Sequence, residues 1–154
     1  PAMRYYFEGI HLDGQSNRHW KDGLAAVKAR GKDNRRAVVL AFGTNAGVDR
    51  DALEQTVDTL GPQRMVVLVT VHGRFARAAE DNAVLREFAG TRDNVAIADW
   101  DAALQDTTGQ LQSDGIHPSR VGSHLFAKTI RAAFAELSAR HTGVTPDLPE
   151  LPIP

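Results

Sequence analysis

Cysteine is absent from the chain, which excludes a disulfide framework, thiolate nucleophiles and cysteine-ligated metals. It leaves the compartment open, because cytosolic and exported proteins can both lack cysteine. No sign of charge prevails either: 18 Lys and Arg face 19 Asp and Glu, a formal net of -1. That balance argues against a nucleic-acid partner and against a polybasic membrane surface. Long hydrophobic runs are missing too. The longest, around Val38 and Val66, fall far short of the roughly 20 residues that cross a bilayer, and no signal-peptide pattern is legible. No internal repeat appears.

What is present is an alternation of short apolar strands and helical spacing over 154 residues, enough for one domain with one core. Gly9–Leu12 reads as a short strand. Trp20–Arg30 has helical spacing. Arg36–Phe42 is the first strong strand, followed by a helix from Val48 to Leu60 with Asp49 as its N-cap. Arg64–Val71 is the second strong strand, Arg77–Ala89 the next helix, and Asn94–Asp99 a third strand. A loop from Asp106 to Ser119 leads into the last helix, Val121–Arg140. The expected domain is 1–141, and 142–154 reads as a Pro-rich extended tail. Near-continuous apolar strands between helices predict an α/β fold, a three-layer doubly wound parallel sheet. In such a fold ligands sit at the carboxyl ends of the strands. Asn45 follows one such end, His72 and Arg74 another, and Asp99-Trp100 a third. At His72 and Arg74, substrate contact and a solvated loop are equally open readings. Trp100 reads as packing rather than as a sugar platform.

The richest segment is Asp114-Gly115-Ile116-His117-Pro118-Ser119, at the mouth of the last helix. An Asp three residues before a His is the acid-base half of a serine hydrolase site: the His takes a proton and the Asp holds its tautomer. The plain alternative is a helix N-cap beside an ordinary histidine. His11, His19, His124 and His141 lack metal-ligand spacing, so no metal is assigned and no cofactor is implied.

Several stretches in order carry a resemblance. Gly43-Thr44-Asn45 follows a strand, Asp99-Trp100 follows a later one, and Asp114 to His117 precedes the last helix. Leu12 to His19 is the nearest counterpart of an Asp-x-x-(Ser/Gly)-Arg stretch. From about Tyr6 to Leu137 the pattern resembles the SGNH hydrolase superfamily. Its nearest likeness is the C-terminal SGNH domain of bacterial membrane-bound O-acetyltransferases of the acyltransferase-3 type. The resemblance implies His117 as base, Asp114 as its orienting acid and Asn45 as oxyanion donor, a contact worth about 3 kcal/mol. It implies Gly43, Thr44, Asn17 and Arg18 at the substrate, with the Asn17 backbone N–H beside the oxyanion.

The Gly-Asp-Ser nucleophile segment of that superfamily does not occur here. On the favoured alignment the first strand, with its serine, lies upstream of this sequence. A rival alignment makes Gly14-Gln15-Ser16-Asn17 the nucleophile turn and Ser16 the nucleophile. Only one helix and one strand separate Ser16 from Asn45, which argues against it. The resemblance therefore implies a serine esterase or O-acyltransferase acting on acylated carbohydrate, such as cell-wall or polysaccharide O-acetyl groups. It also implies an N-terminal membrane acyltransferase domain as partner and an extracytoplasmic location. The other readings are a noncatalytic glycan- or partner-binding module of the same fold, and a flavodoxin-like domain whose rim motifs are coincidental.

Overall fold

The computed structural model describes residues 2–74 and 76–153. Pro1, the first residue of the expected domain, and Pro154, the last of the expected tail, lie outside the described residues. At its centre is a three-stranded parallel sheet: β1 (Ala37–Leu40), β2 (Met65–Val69) and β3 (Val95–Ala98), in the order β1-β2-β3. The register pairs Val38 with Val66 and Leu68 with Ile97. Side chains alternate between the faces of a strand, and both faces of β2 are covered. Val66 and Leu68 enter a core built with Trp20, Leu53, Leu60, Leu85 and Phe88. Val67 and Val69 enter a second core with Trp100, Ile130 and Leu137.

The first core belongs to α2 (Trp20–Arg30), α3 (Arg50–Leu60) and α4 (Ala78–Ala89). The second belongs to α1 (Ala2–Tyr6), α5 (Trp100–Leu104) and α6 (Arg120–Thr142). Local chemistry sets the helix ends. Asp49 Oδ1 accepts the Ala52 N–H at 2.9 Å and starts α3. Gly143, at φ 74, closes α6 by donating to the Ala139 carbonyl at 2.8 Å; only glycine enters that left-handed region freely.

The direction of α6 positions the rest. Near its far end Arg140 Nη1 donates to the Val95 carbonyl, at the start of β3, at 2.9 Å. Near its beginning Phe126 meets Trp100, just past the end of β3, with ring centroids 5.3 Å apart. The helix therefore runs antiparallel to the strands and begins at their carboxyl ends. From Gly143 to Ile153 the chain has no regular element but lies back on the domain: Arg131 donates to the Pro149 carbonyl, Lys128 pairs with Glu150, and Tyr5 donates to the Pro152 carbonyl.

Three sequence readings need correction. Gly9–Leu12 is not a strand. Gly9 turns at φ 67 and Leu12 is exposed, and among the described residues the segment pairs with none of the three strands. Asp114 is not the cap of α6; Ser119 Oγ accepts the Gly122 N–H at 3.1 Å. The short helix α5 was not foreseen, because its five residues are too few to show a helical period. β1 is consequently an edge strand, and its outer side borders a cleft of about 510 Å³ lined by Phe7, Val27, Val39, Phe42, Phe126 and Phe134.

Leu68 is fully buried on the central strand. Leu68→Ala should lower unfolding stability by about 2–5 kcal/mol, read as a reduced urea midpoint with an unchanged slope.

Candidate active site

The Asp114–His117 loop is built almost entirely from its own hydrogen bonds. An isolated antiparallel bridge joins Leu111 to Pro118 at its base. The Gln112 N–H donates to the His117 carbonyl at 2.8 Å, and the Ser119 N–H to the Gln110 carbonyl at 2.8 Å. Gly115 makes the turn at φ 68. Inside it, Asp114 Oδ1 accepts the backbone N–H groups of Ile116 and His117, both at 2.9 Å. Asp114 Oδ2 lies 2.7 Å from His117 Nδ1. The Ile116 N–H, the His117 ring and the His117 N–H together hold the Asp114 carboxyl well below its usual 3.8, at about 2. An ionised carboxylate can only accept, so the hydrogen between the side chains sits on Nδ1. That leaves the Nε2 lone pair free to take a proton. His117 is 70% exposed and Asp114 44%, so the pair orients a ring far more than it stabilises a fold.

Asn45 lies in the turn that follows β1. Gly43, buried at φ 114, passes so close to Val71 that a Cβ there would sit 2.8 Å from Val71 Cγ2. Ala46 and Gly47 both take positive φ, and the Gly47 N–H closes the turn on the Gly43 carbonyl at 3.1 Å. α4 clamps it from outside: Asp81 Oδ1 accepts the Val48 N–H at 3.0 Å, and Arg77 pairs with Asp81 and reaches the Thr44 carbonyl. Thr44 is exposed and Asn45 half-buried.

Past the end of β2, His72 Nδ1 lies 2.8 Å from Asp101 Oδ1, in the first turn of α5. Arg74 is exposed. Asp99 caps α5 and receives Arg86 through both carboxylate oxygens. Burial opposes its charge, but bonds from Arg86, the Ala102 N–H and Thr70 outweigh this and keep its carboxyl below the ordinary range. Ser16 and Asn17 form an exposed turn with Asn17 at φ 55. Arg18, largely buried, fastens that turn to Asp13 and Gln15.

The fold thus brings the Asn45 turn, His72 and the Asp114–His117 loop to one rim, at the carboxyl ends of the three strands. Ser16 is not hydrogen-bonded to His117, and among the described residues no serine hydroxyl is; Ser119 donates to the Gly109 carbonyl and Ser123 to the Arg120 carbonyl. Asp101 is a rim residue that the sequence reading did not single out. Its signal was a carboxylate three residues past the end of β3, level with a histidine three residues past the end of β2. Among the described residues no group of three or more His, Asp or Glu side chains is arranged to hold a metal.

No protein-family model matches the chain. Over 115 residues it is 30% identical to the O-acetyltransferase OatA of Staphylococcus aureus, covering 73% of this chain and 19% of that protein. The chain therefore spans about a fifth of the length of the curated relatives it matches. Among solved structures, it is similar to the C-terminal catalytic domain of peptidoglycan O-acetyltransferase A of Streptococcus pneumoniae, with a TM-score of 0.79 at 21% identity over 89% of this chain and 86% of that one. A lipolytic protein of the G-D-S-L family from Veillonella parvula aligns with a TM-score of 0.68 at 15% identity, covering 86% and 84%. A family 3 carbohydrate esterase from Clostridium thermocellum aligns with a TM-score of 0.63 at 17% identity, covering 82% and 70%.

Two outcomes test the loop. Followed by carboxyl-carbon NMR, Asp114 should titrate near 2. In His117→Ala it should still titrate below 3.8, because the Ile116 N–H bond, the largest contributor, remains. The stability those bonds lend the loop is complete above the ordinary carboxyl range and is lost as pH falls through about 2. Gly122→Ala would place a Cβ 1.7 Å from the Gln110 carbonyl oxygen; the forced backbone shift should cost about 1–3 kcal/mol and loosen the loop, seen as faster amide exchange at Ser119.

Proposed function

We propose, from the premise that the chain is an SGNH hydrolase-like domain resembling the C-terminal domain of OatA, that it is the catalytic part of a serine esterase or O-acyltransferase. Its substrate would be a carbohydrate bearing O-acetyl groups, of the cell-wall polysaccharide class. The observation that carries this reading is the Asp114–His117 pair, 2.7 Å apart, on the rim that also holds the Asn45 turn.

The chemistry follows from those positions. A serine hydroxyl attacks the acyl carbonyl while His117 Nε2 takes its proton, and Asp114 keeps the ring in the tautomer that can do so. The Asn45 amide and the Asn17 backbone N–H stabilise the oxyanion. His117 then returns the proton to the departing oxygen, which leaves an acyl-serine. A second hydroxyl reverses the sequence: water gives the free acid, and a sugar hydroxyl gives the transferred ester. Gly43 and Thr44 shape the wall beside the acyl group, and Arg18, His72 and Arg74 flank it.

The serine belongs, in this reading, to a strand added along the outer edge of β1. Support comes from that edge itself: among the described residues no strand pairs with it, and the cleft beside it is apolar on both faces of the sheet. A strand continuing the sheet there would end at the same rim as Asn45. The full-length protein would join this domain to a membrane acyltransferase domain and present it outside the cytoplasm. No helix among the described residues is itself long and apolar enough to cross a membrane. One observation favours a second reading, a noncatalytic module that binds glycan or a partner: among the described residues no serine hydroxyl is bonded to His117.

The 154-residue chain should therefore release no acetate from 4-nitrophenyl acetate above background. Turnover abolished by both Ser16→Ala and His117→Ala would instead make Ser16 the nucleophile. In a polypeptide that supplies the serine strand, Asn45→Ala should cut turnover about 100-fold. A rate unchanged by that substitution would reduce Asn45 to a turn residue.

A further inference from the structure

His72 is held with more precision than a surface loop residue needs. The backbone just before it is pinned by Asn82, a buried side chain of α4. Asn82 Oδ1 accepts the Val71 N–H at 2.7 Å, and its Nδ2 donates to the Val71 carbonyl at 2.9 Å. Its partner is fixed as firmly. Thr70, also buried, accepts the Asp101 N–H at 2.9 Å through Oγ1 and donates from the same atom to Asp99 Oδ1 at 3.1 Å. Arg86 grips Asp99 from outside. Two buried polar side chains thus serve to set His72 and Asp101 against each other. A hydrogen bond between two side chains about a third exposed returns too little net stability to account for that arrangement.

The pair also lies in the middle of the rim. Val71, its neighbour, packs on Gly43 of the Asn45 turn, and Trp100, beside Asp101, packs on Phe126 of α6. Nδ1 donates to the Asp101 carboxylate at 2.8 Å, which leaves Nε2 as an acceptor. That nitrogen has no partner among the described residues, and the side chain is 30% exposed. A preset, solvent-reached acceptor on the rim calls for a hydrogen-bond donor on the ligand.

We propose that His72, oriented by Asp101, binds a carbohydrate hydroxyl at the rim between the Asn45 turn and the Asp114–His117 loop. This rests on the carbohydrate reading above and makes His72 a binding residue, with Asp101 its positioning residue. It adds no proton transfer to the acyl chemistry.

The test is an NMR titration of the protein with chitotetraose, a β-linked N-acetylglucosamine tetramer, that follows the imidazole nitrogens. His72 should carry its hydrogen on Nδ1 in the free protein, and its Nε2 resonance should move as the saccharide binds. His72→Ala should raise the Kd about fivefold, the worth of one neutral hydrogen bond. His72→Gln, which keeps an acceptor near the same place, should recover part of the loss. Asp101→Asn should shift the His72 tautomer and weaken binding while leaving the thermal midpoint near that of the parent. Saccharide binding that moves neither His72 nitrogen, with an unchanged Kd in His72→Ala, would overturn the hydroxyl site and leave the carbohydrate reading intact. No binding at millimolar saccharide would also overturn it. The acyl-transfer reading is judged separately, by aryl acetate turnover in a polypeptide that supplies the serine strand.

Discussion

Val66, Val67 and Leu68 lose all contact with solvent because helices close over both faces of β2. A strand buried on both sides and paired in parallel on both edges cannot slip by one residue without turning its side chains to the opposite core. Fixing β2 therefore fixes β1 and β3 through the ladders Val38–Val66 and Leu68–Ile97. It also fixes the height at which the chain leaves each strand. The Asn45 turn, His72 and the start of α5 depart from that common level. α6, packed on the same sheet through Ile130 and Leu137, brings the Asp114–His117 loop to it from the other direction.

The parts of the rim are secured by different means. The Asp114–His117 loop is largely self-contained: a single carboxylate gathers two backbone N–H groups and the ring within four residues. Its exposure means that water screens most of the charge attraction, so the value of the pair lies in ring orientation. The Asn45 turn depends on distant support from Val71, Asp81 and Arg77. The His72–Asp101 pair depends on two buried side chains, Asn82 and Thr70. Local loops keep their shape when neighbours change, whereas the other two sites move with the packing of α4 and α5.

The outer edge of β1 opens on an apolar cleft. Unpaired edges of this kind are templates for another strand, and Phe7, Phe126 and Phe134 on one side with Val27 and Phe42 on the other would cover both faces of such a strand. The irregular Gly9–Leu12 segment borders the same cleft without pairing to β1, and Leu12 stays in water.

The sequence by itself determined whatever depends on near neighbours in the chain. Apolar runs at Val38 and Val66 announce buried strands, Asp49 and Gly61 bracket α3, and Asp114 stands three residues from His117, close enough to bond to it through a single glycine turn. These follow from backbone periodicity and short-range hydrogen bonding, which a linear reading can follow. Tertiary structure alone decided that His72 meets Asp101 across 29 positions, that Ser119 rather than Asp114 caps α6, that Gly9–Leu12 forms no strand, and that Ser16 stands unbonded to His117. Each of those outcomes turns on which groups the packed sheet leaves within about 3 Å of one another, and no spacing along the chain encodes that distance.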